Sequence, residues 1–177
     1  MIRTILAAVT ILLTLAAAHA HEEKRGDLVI SHPWTRATAA SQKNGAIFME
    51  IVNHSDDADR LIGASSPEAE TVEVHSHFKD GDVMRMRRLD GVDVPAGGSA
   101  YLAPGGYHVM LIGLNGPLLE ETTINVTLEF ERAGKVEIEA IVESAGYKGP
   151  KRFTRNGMPM KSEGQGMREE MHKGMHK

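Results

Sequence analysis

Residues 123–139 read TINVTLEFERAGKVEIE. Ile124, Val126, Leu128 and Phe130 alternate with Thr123, Asn125, Thr127 and Glu129; after an Ala133-Gly134 turn, Val136 and Ile138 alternate with Glu137 and Glu139. A period of two sends every apolar side chain to one face of an extended chain, so the segment reads as two half-buried strands joined by a turn. Nothing elsewhere offers a convincing helical period.

Upstream, the same signals recur in short units. Tyr107–Ile112 and Ser99–Leu102 are strands set off by the turn clusters Pro95-Ala96-Gly97-Gly98 and Pro104-Gly105-Gly106. Thr71–His75 alternates, Lys79-Asp80-Gly81-Asp82 is a hairpin turn with Asp-Gly at its centre, and Val83–Arg88 returns as the second arm. Asn44-Gly45 precedes the apolar strand AIFMEIVNH, and LVISHPWTRA begins at Leu28, with Pro33 expected at an edge or bulge and Trp34 in the core. Ser55–Asp59 lacks the spacing of a calcium loop and reads as a solvated turn. Roughly eight short strands with turns between them predict an all-β domain, a sandwich or barrel.

The ends differ from this body. Residues 1–20 carry Arg3, an apolar run and Ala18-His19-Ala20, the parts of a secretory signal peptide. The run is shorter than the roughly 20 residues of a membrane span, so no span is expected after cleavage. The expected address is the periplasm. With no cysteine in 177 residues, the chain offers no lipobox, disulfide, iron–sulfur cluster, thiol nucleophile or blue-copper thiolate. Cleavage after Ala20 exposes His21, whose amine and imidazole can chelate Cu(II); cleavage after Ala18 exposes His19-Ala20-His21. Residues 21–146, the expected domain, hold eleven Lys and Arg against twenty-one Asp and Glu, a net of −10. An acidic body argues against nucleic acid as a partner. Residues 147–177 are basic, with eight against three, and are too poor in large apolar side chains to fold alone, so a disordered tail is expected.

Histidine and methionine are distributed unevenly. His75, His77, Met84, Met86, His108 and Met110 fall within thirty-six positions. Imidazole and thioether are borderline and soft donors, and a set containing Met points to copper, above all Cu(I), over zinc, magnesium or calcium. The hairpin brings His75 and Met86 together, and His108 and Met110 share one face of the following strand, roughly 6.6 Å apart along it. The tail holds Met158, Met160, Met167, Met171, His172, Met175 and His176, ending in MHKGMHK, a compositional metal-binding signal.

The spacing His75-x10-Met86-x21-His108-x-Met110 resembles the signature of the PCuAC family of periplasmic copper chaperones, as do HPWTRAT, KNGAIFMEIVN, DRLIGASSPEAETVEVH and VPAGGSAYLAPGGYHVMLIGL. The resemblance covers about residues 28–142. It implies a cupredoxin-like β-sandwich, with His75, Met86, His108 and Met110 binding Cu(I) near one end. It further implies delivery by ligand exchange, not enzymatic catalysis, towards the binuclear centre of cytochrome c oxidase subunit II, alongside Sco-type proteins. A monomer is expected. One departure stands out: the family often has Met two residues after the first His, and here it is His77, an auxiliary ligand candidate. Met84 is a reserve ligand, and the tail resembles the His- and Met-rich extension of some members, which implies a further copper site there, for Cu(II). The alternative role is a periplasmic copper buffer, for resistance or for supply to another cuproenzyme.

Overall fold

A computed structural model describes residues 22–150. Within them the chain is all strand and turn: β1 Glu22–Arg25, β2 Leu28–Arg36, β3 Asn44–Asn53, β4 Asp59–Ser65, β5 Ala69–Asp80, β6 Val83–Arg88, β7 Val92–Val94, β8 Ser99–Leu102, β9 Tyr107–Leu114, β10 Thr123–Phe130 and β11 Gly134–Glu143. The strands hydrogen-bond in the order β6-β5-β9-β8-β3-β2-β11-β10-β4-β7, with β1 on β2 and β9 also on β3. Most pairs are antiparallel, but β11 runs parallel to β2 and β8 to β9.

The period of two seen in the sequence is what closes this path into a sandwich. In β10 the buried residues are Ile124, Val126, Leu128 and Phe130, and in β11 they are Val136, Ile138, Ala140 and Val142. They join Ile30 of β2, Ile47, Met49 and Ile51 of β3, and Val109 and Leu111 of β9 in one core. The two halves of the path therefore face each other across shared apolar contacts, as two packed layers do. The expected cupredoxin-like β-sandwich is the architecture found.

Three details depart from expectation or sharpen it. Among the described residues there are eleven strands, not eight or so. Glu22–Arg25 has no apolar residue where it pairs with Leu28–Ser31, and Val92–Val94 is three residues long, so neither carries a period to read. Pro33 sits where β2 shifts register against β3, between Ser31 and Trp34, with His32 at φ 50°; this is the bulge that Pro33 foretold. The Ser55–Asp59 turn is built rather than merely solvated. Buried Asn53 donates to the Asp57 carbonyl, while the Asp59 carboxylate accepts from the backbone N–H groups of Arg132 and Ala133.

Candidate metal centre

The hairpin of β5 and β6 sits at one end of the sheet and places the first donors. Asp80 pairs with Val83, so the loop is Gly81-Asp82, one residue beyond the centre expected, with Gly81 at the positive φ of 61° that tight hairpins need. The register then sets His77 opposite Met86 and His75 opposite Arg88. On its other side β5 pairs with β9, setting His75 opposite His108 and Glu73 opposite Met110. Because residues two apart share a face, Glu73, His75, His77, Met86, His108 and Met110 all project to one side of this three-stranded end. Met84, opposite Lys79, is on the same side but lies 56% exposed, further along the edge strand.

His108 is the buried anchor, 2% exposed. Gly105, at φ 87°, turns the chain into β9, and the Gly106 carbonyl accepts a hydrogen bond from His108 Nδ1–H at 3.1 Å. That leaves Nε2 with its lone pair, and Nε2 faces the Met86 sulfur at 3.1 Å. Burial holds His108 below the ordinary imidazole range; the Gly106 carbonyl opposes this, and the neighbouring imidazoles of His77 and His75 add to it. A neutral His108 protonated on Nδ1 has no hydrogen to give the thioether. Two lone pairs therefore meet, and a cation between them removes their repulsion. With bonds of about 2.0 and 2.3 Å, an ion bound to both would set nitrogen and sulfur roughly 3.1–3.5 Å apart for angles of 90–109°. The observed distance is at the narrow end of that range.

His77, Met86, His108 and Met110 line a cleft of about 380 Å³ together with Phe48 and Arg36. His75 does not line it. Its Nε2–H donates to the Glu73 carboxylate at 2.8 Å, and Arg88 donates to the other oxygen at 3.2 Å. The bond from His75 is the largest influence holding the Glu73 carboxyl below its usual range, with burial opposing it and Arg88 assisting. His75 Nδ1 is left buried with no hydrogen-bond partner among the described residues, and so is His77 Nδ1. A histidine whose one nitrogen is tied to a carboxylate and whose other is free is the arrangement common to metal-bound imidazoles. The ring centres of His75 and His77 lie 5.9 and 4.9 Å from that of His108. Among the described residues no three His, Asp or Glu side chains already gather as a cation site. The donor set at this cleft includes sulfur, which separates it from the nitrogen and oxygen sets of zinc hydrolases.

Behind the cleft runs an aromatic floor. Phe48 lies 6.3 Å from His108, Trp34 lies 4.6 Å from Phe48, and Tyr147 meets Trp34 edge-on at 4.8 Å. Arg36 stacks over Trp34 and Phe48 and donates from Nε to the Tyr147 carbonyl at 2.7 Å. Packing thus continues to Tyr147, just past residue 146. Sequence reasoning missed Glu73, Arg36 and Phe48 here. Glu73 was within reach, since it precedes His75 by two in an alternating strand; nothing local marked the others. His21 and the tail candidates Met158, Met160, Met167, Met171, His172, Met175 and His176, like the signal segment, lie outside the described residues. No helix among the described residues is long and apolar enough to cross a membrane.

Comparison with known proteins gives a family and a fold. Residues 28–142 match the family described as "Putative lipoprotein LpqE-like". A protein of Leifsonia xyli subsp. xyli named "Putative lipoprotein" is 33% identical over 134 residues, covering 72% of this chain and 80% of its own length. Among solved structures, the copper-bound PCuAC domain from PmoF2 is 34% identical with a TM-score of 0.61, covering 70% of this chain and 98% of that one. Cu(I)-bound DR1885 from Deinococcus radiodurans is 28% identical with a TM-score of 0.51, covering 68% and 82%.

Proposed function

The chain belongs to the LpqE-like family, and from that premise we propose that it is an exported copper chaperone, holding Cu(I) at the β5–β6–β9 cleft as cargo. The observation that carries this reading is the facing pair of His108 Nε2 and Met86 sulfur at 3.1 Å. Likeness to a copper-bound PCuAC domain and to Cu(I)-bound DR1885 supports it, and the lipoprotein names of its relatives support export, here to the periplasm. His75, Met86, His108 and Met110 are the ligands we assign, His75 through the nitrogen that Glu73 leaves free.

The same residues explain how the metal is let go. Met86 is 45% exposed on the edge strand whereas His108 is buried. An incoming donor therefore meets the ion from the Met86 side. A partner's thiolate is a stronger ligand for Cu(I) than a neutral thioether, so it displaces Met86 first while the imidazoles still hold the ion. No bond of a substrate is made or broken; the protein is a carrier, not an enzyme. It works as a monomer, and its acceptor is the binuclear copper centre of cytochrome c oxidase subunit II, reached directly or through a Sco-type protein. The Met- and His-rich tail sequence favours one other reading, a periplasmic buffer with storage capacity. Deletion of the gene separates the two: a chaperone loses oxidase activity, and a buffer loses copper tolerance alone.

Anaerobic Cu(I) titration of the full mature chain against a chromophoric competitor tests the site. Replacing both His108 and Met110 by Ala should weaken uptake by the body at least about a hundredfold, roughly 2.8 kcal/mol. Unchanged uptake would overturn the assignment.

A further inference from the structure

Resting on that copper reading, we propose that His77 is a further ligand of the same centre, and that it extends the centre to Cu(II). Three observations place it there. Its Cα partner is Met86, and it lines the cleft that His75 does not. Its ring stands 4.9 Å from His108, with 29° between the planes. Its Nδ1 is buried without a hydrogen-bond partner among the described residues, a cost that a bound ion removes.

Distances decide whether the rings can share an ion. Two imidazoles on one first-row metal, with bonds near 2.0–2.1 Å and adjacent coordination positions, stand roughly 4.5–5.2 Å apart centre to centre. The His77–His108 pair, at 4.9 Å, is within that range. The His75–His108 pair, at 5.9 Å, is outside it by a shift small enough for side-chain rotation. The three rings are not gathered in advance. The hairpin that carries two of them has an outer strand whose residues are all exposed, which gives them room to close.

The chemistry follows from the donor types. Thioethers favour Cu(I), and imidazoles suit Cu(II). One face of this sheet end offers both: two sulfurs with two imidazoles for the reduced ion, and three imidazoles for the oxidised one. Cu(I) and Cu(II) are alternative occupants, each bound in the oxidation state in which it arrives, and with Cu(II) His77 ligates in place of Met86 or Met110. Only ligands exchange, and no electron is transferred.

The test uses the full chain with His19, His21, His172 and His176 replaced by Ala, so that the ends contribute no imidazole. One equivalent of Cu(II) is added, pulsed electron paramagnetic resonance counts the bound imidazoles, and competition titrations give both affinities. We expect three imidazoles in this parent and two in His77→Ala. Affinity for Cu(II) should fall at least about tenfold and affinity for Cu(I) less than about threefold. His77→Asn, closer in size and polarity, should behave as His77→Ala does. An unchanged imidazole count, or an equal loss for both oxidation states, overturns the role given to His77 and leaves the Cu(I) site standing. A parent that takes up no Cu(I) overturns both.

Discussion

The proton on His108 sits on Nδ1, held by the Gly106 carbonyl, and burial resists adding a second one to Nε2. With its pKa lowered in the folded state, the unfolded chain binds this proton more readily than the folded chain does. The contribution to stability is therefore complete above about pH 6.5 and is lost as pH falls through the lowered folded value. Thermal melts of the metal-free protein should show Tm declining across that acid window, and His108→Gln should flatten the decline. Copper binding by His108 should correspondingly persist to lower pH than binding by an ordinary imidazole. A second outcome concerns Glu73, which fixes the tautomer of His75. Glu73→Ala should weaken Cu(I) binding by about tenfold, and Glu73→Gln, whose side-chain oxygen still accepts from His75 Nε2–H, should recover most of it. Competition titration of the two variants checks this. At this scale the sequence was informative where chemistry is rare: His and Met at wide fixed spacing pointed to copper before any fold was known. It was silent where residues are common. Phe48 and Arg36 flank the cleft through strand pairings that no local pattern records.

The β5–β6 hairpin turns a register into a donor set. Alternation means that a one-residue slip sends each side chain of β6 to the opposite face. Inserting a single Ser after Asp82 should move Met86 away from His108 and weaken Cu(I) binding at least about tenfold. The cost to global stability should be small, because all six residues of β6 are exposed; titration and thermal melting on one sample separate the two effects. Arg85, Arg87 and Arg88 put like charge along this outermost strand, a common guard against edge-to-edge association. Elements with a solvated face and a buried face were readable, β10 and β11 best of all. β1 was not, because it has no apolar residue, and β7 is too short for any period to show.

For the whole molecule, the order of strands was the least legible feature. The parallel contact of β11 with β2 joins segments more than a hundred residues apart, and it depends on how the halves of the sheet close over the core. That core holds the two layers together. Leu128, fully buried, lies in the shared apolar cluster. Leu128→Ala should cost about 2–5 kcal/mol in denaturant titrations while leaving the Cu(I) affinity of the folded protein unchanged. A parallel loss of affinity would mean that core and cleft are coupled. The clasp of Arg36 on the Tyr147 carbonyl has a consequence beyond packing. It ties the segment at Tyr147 to a residue that lines the cleft, so one guanidinium secures both the last stretch of the described chain and one wall of the cleft.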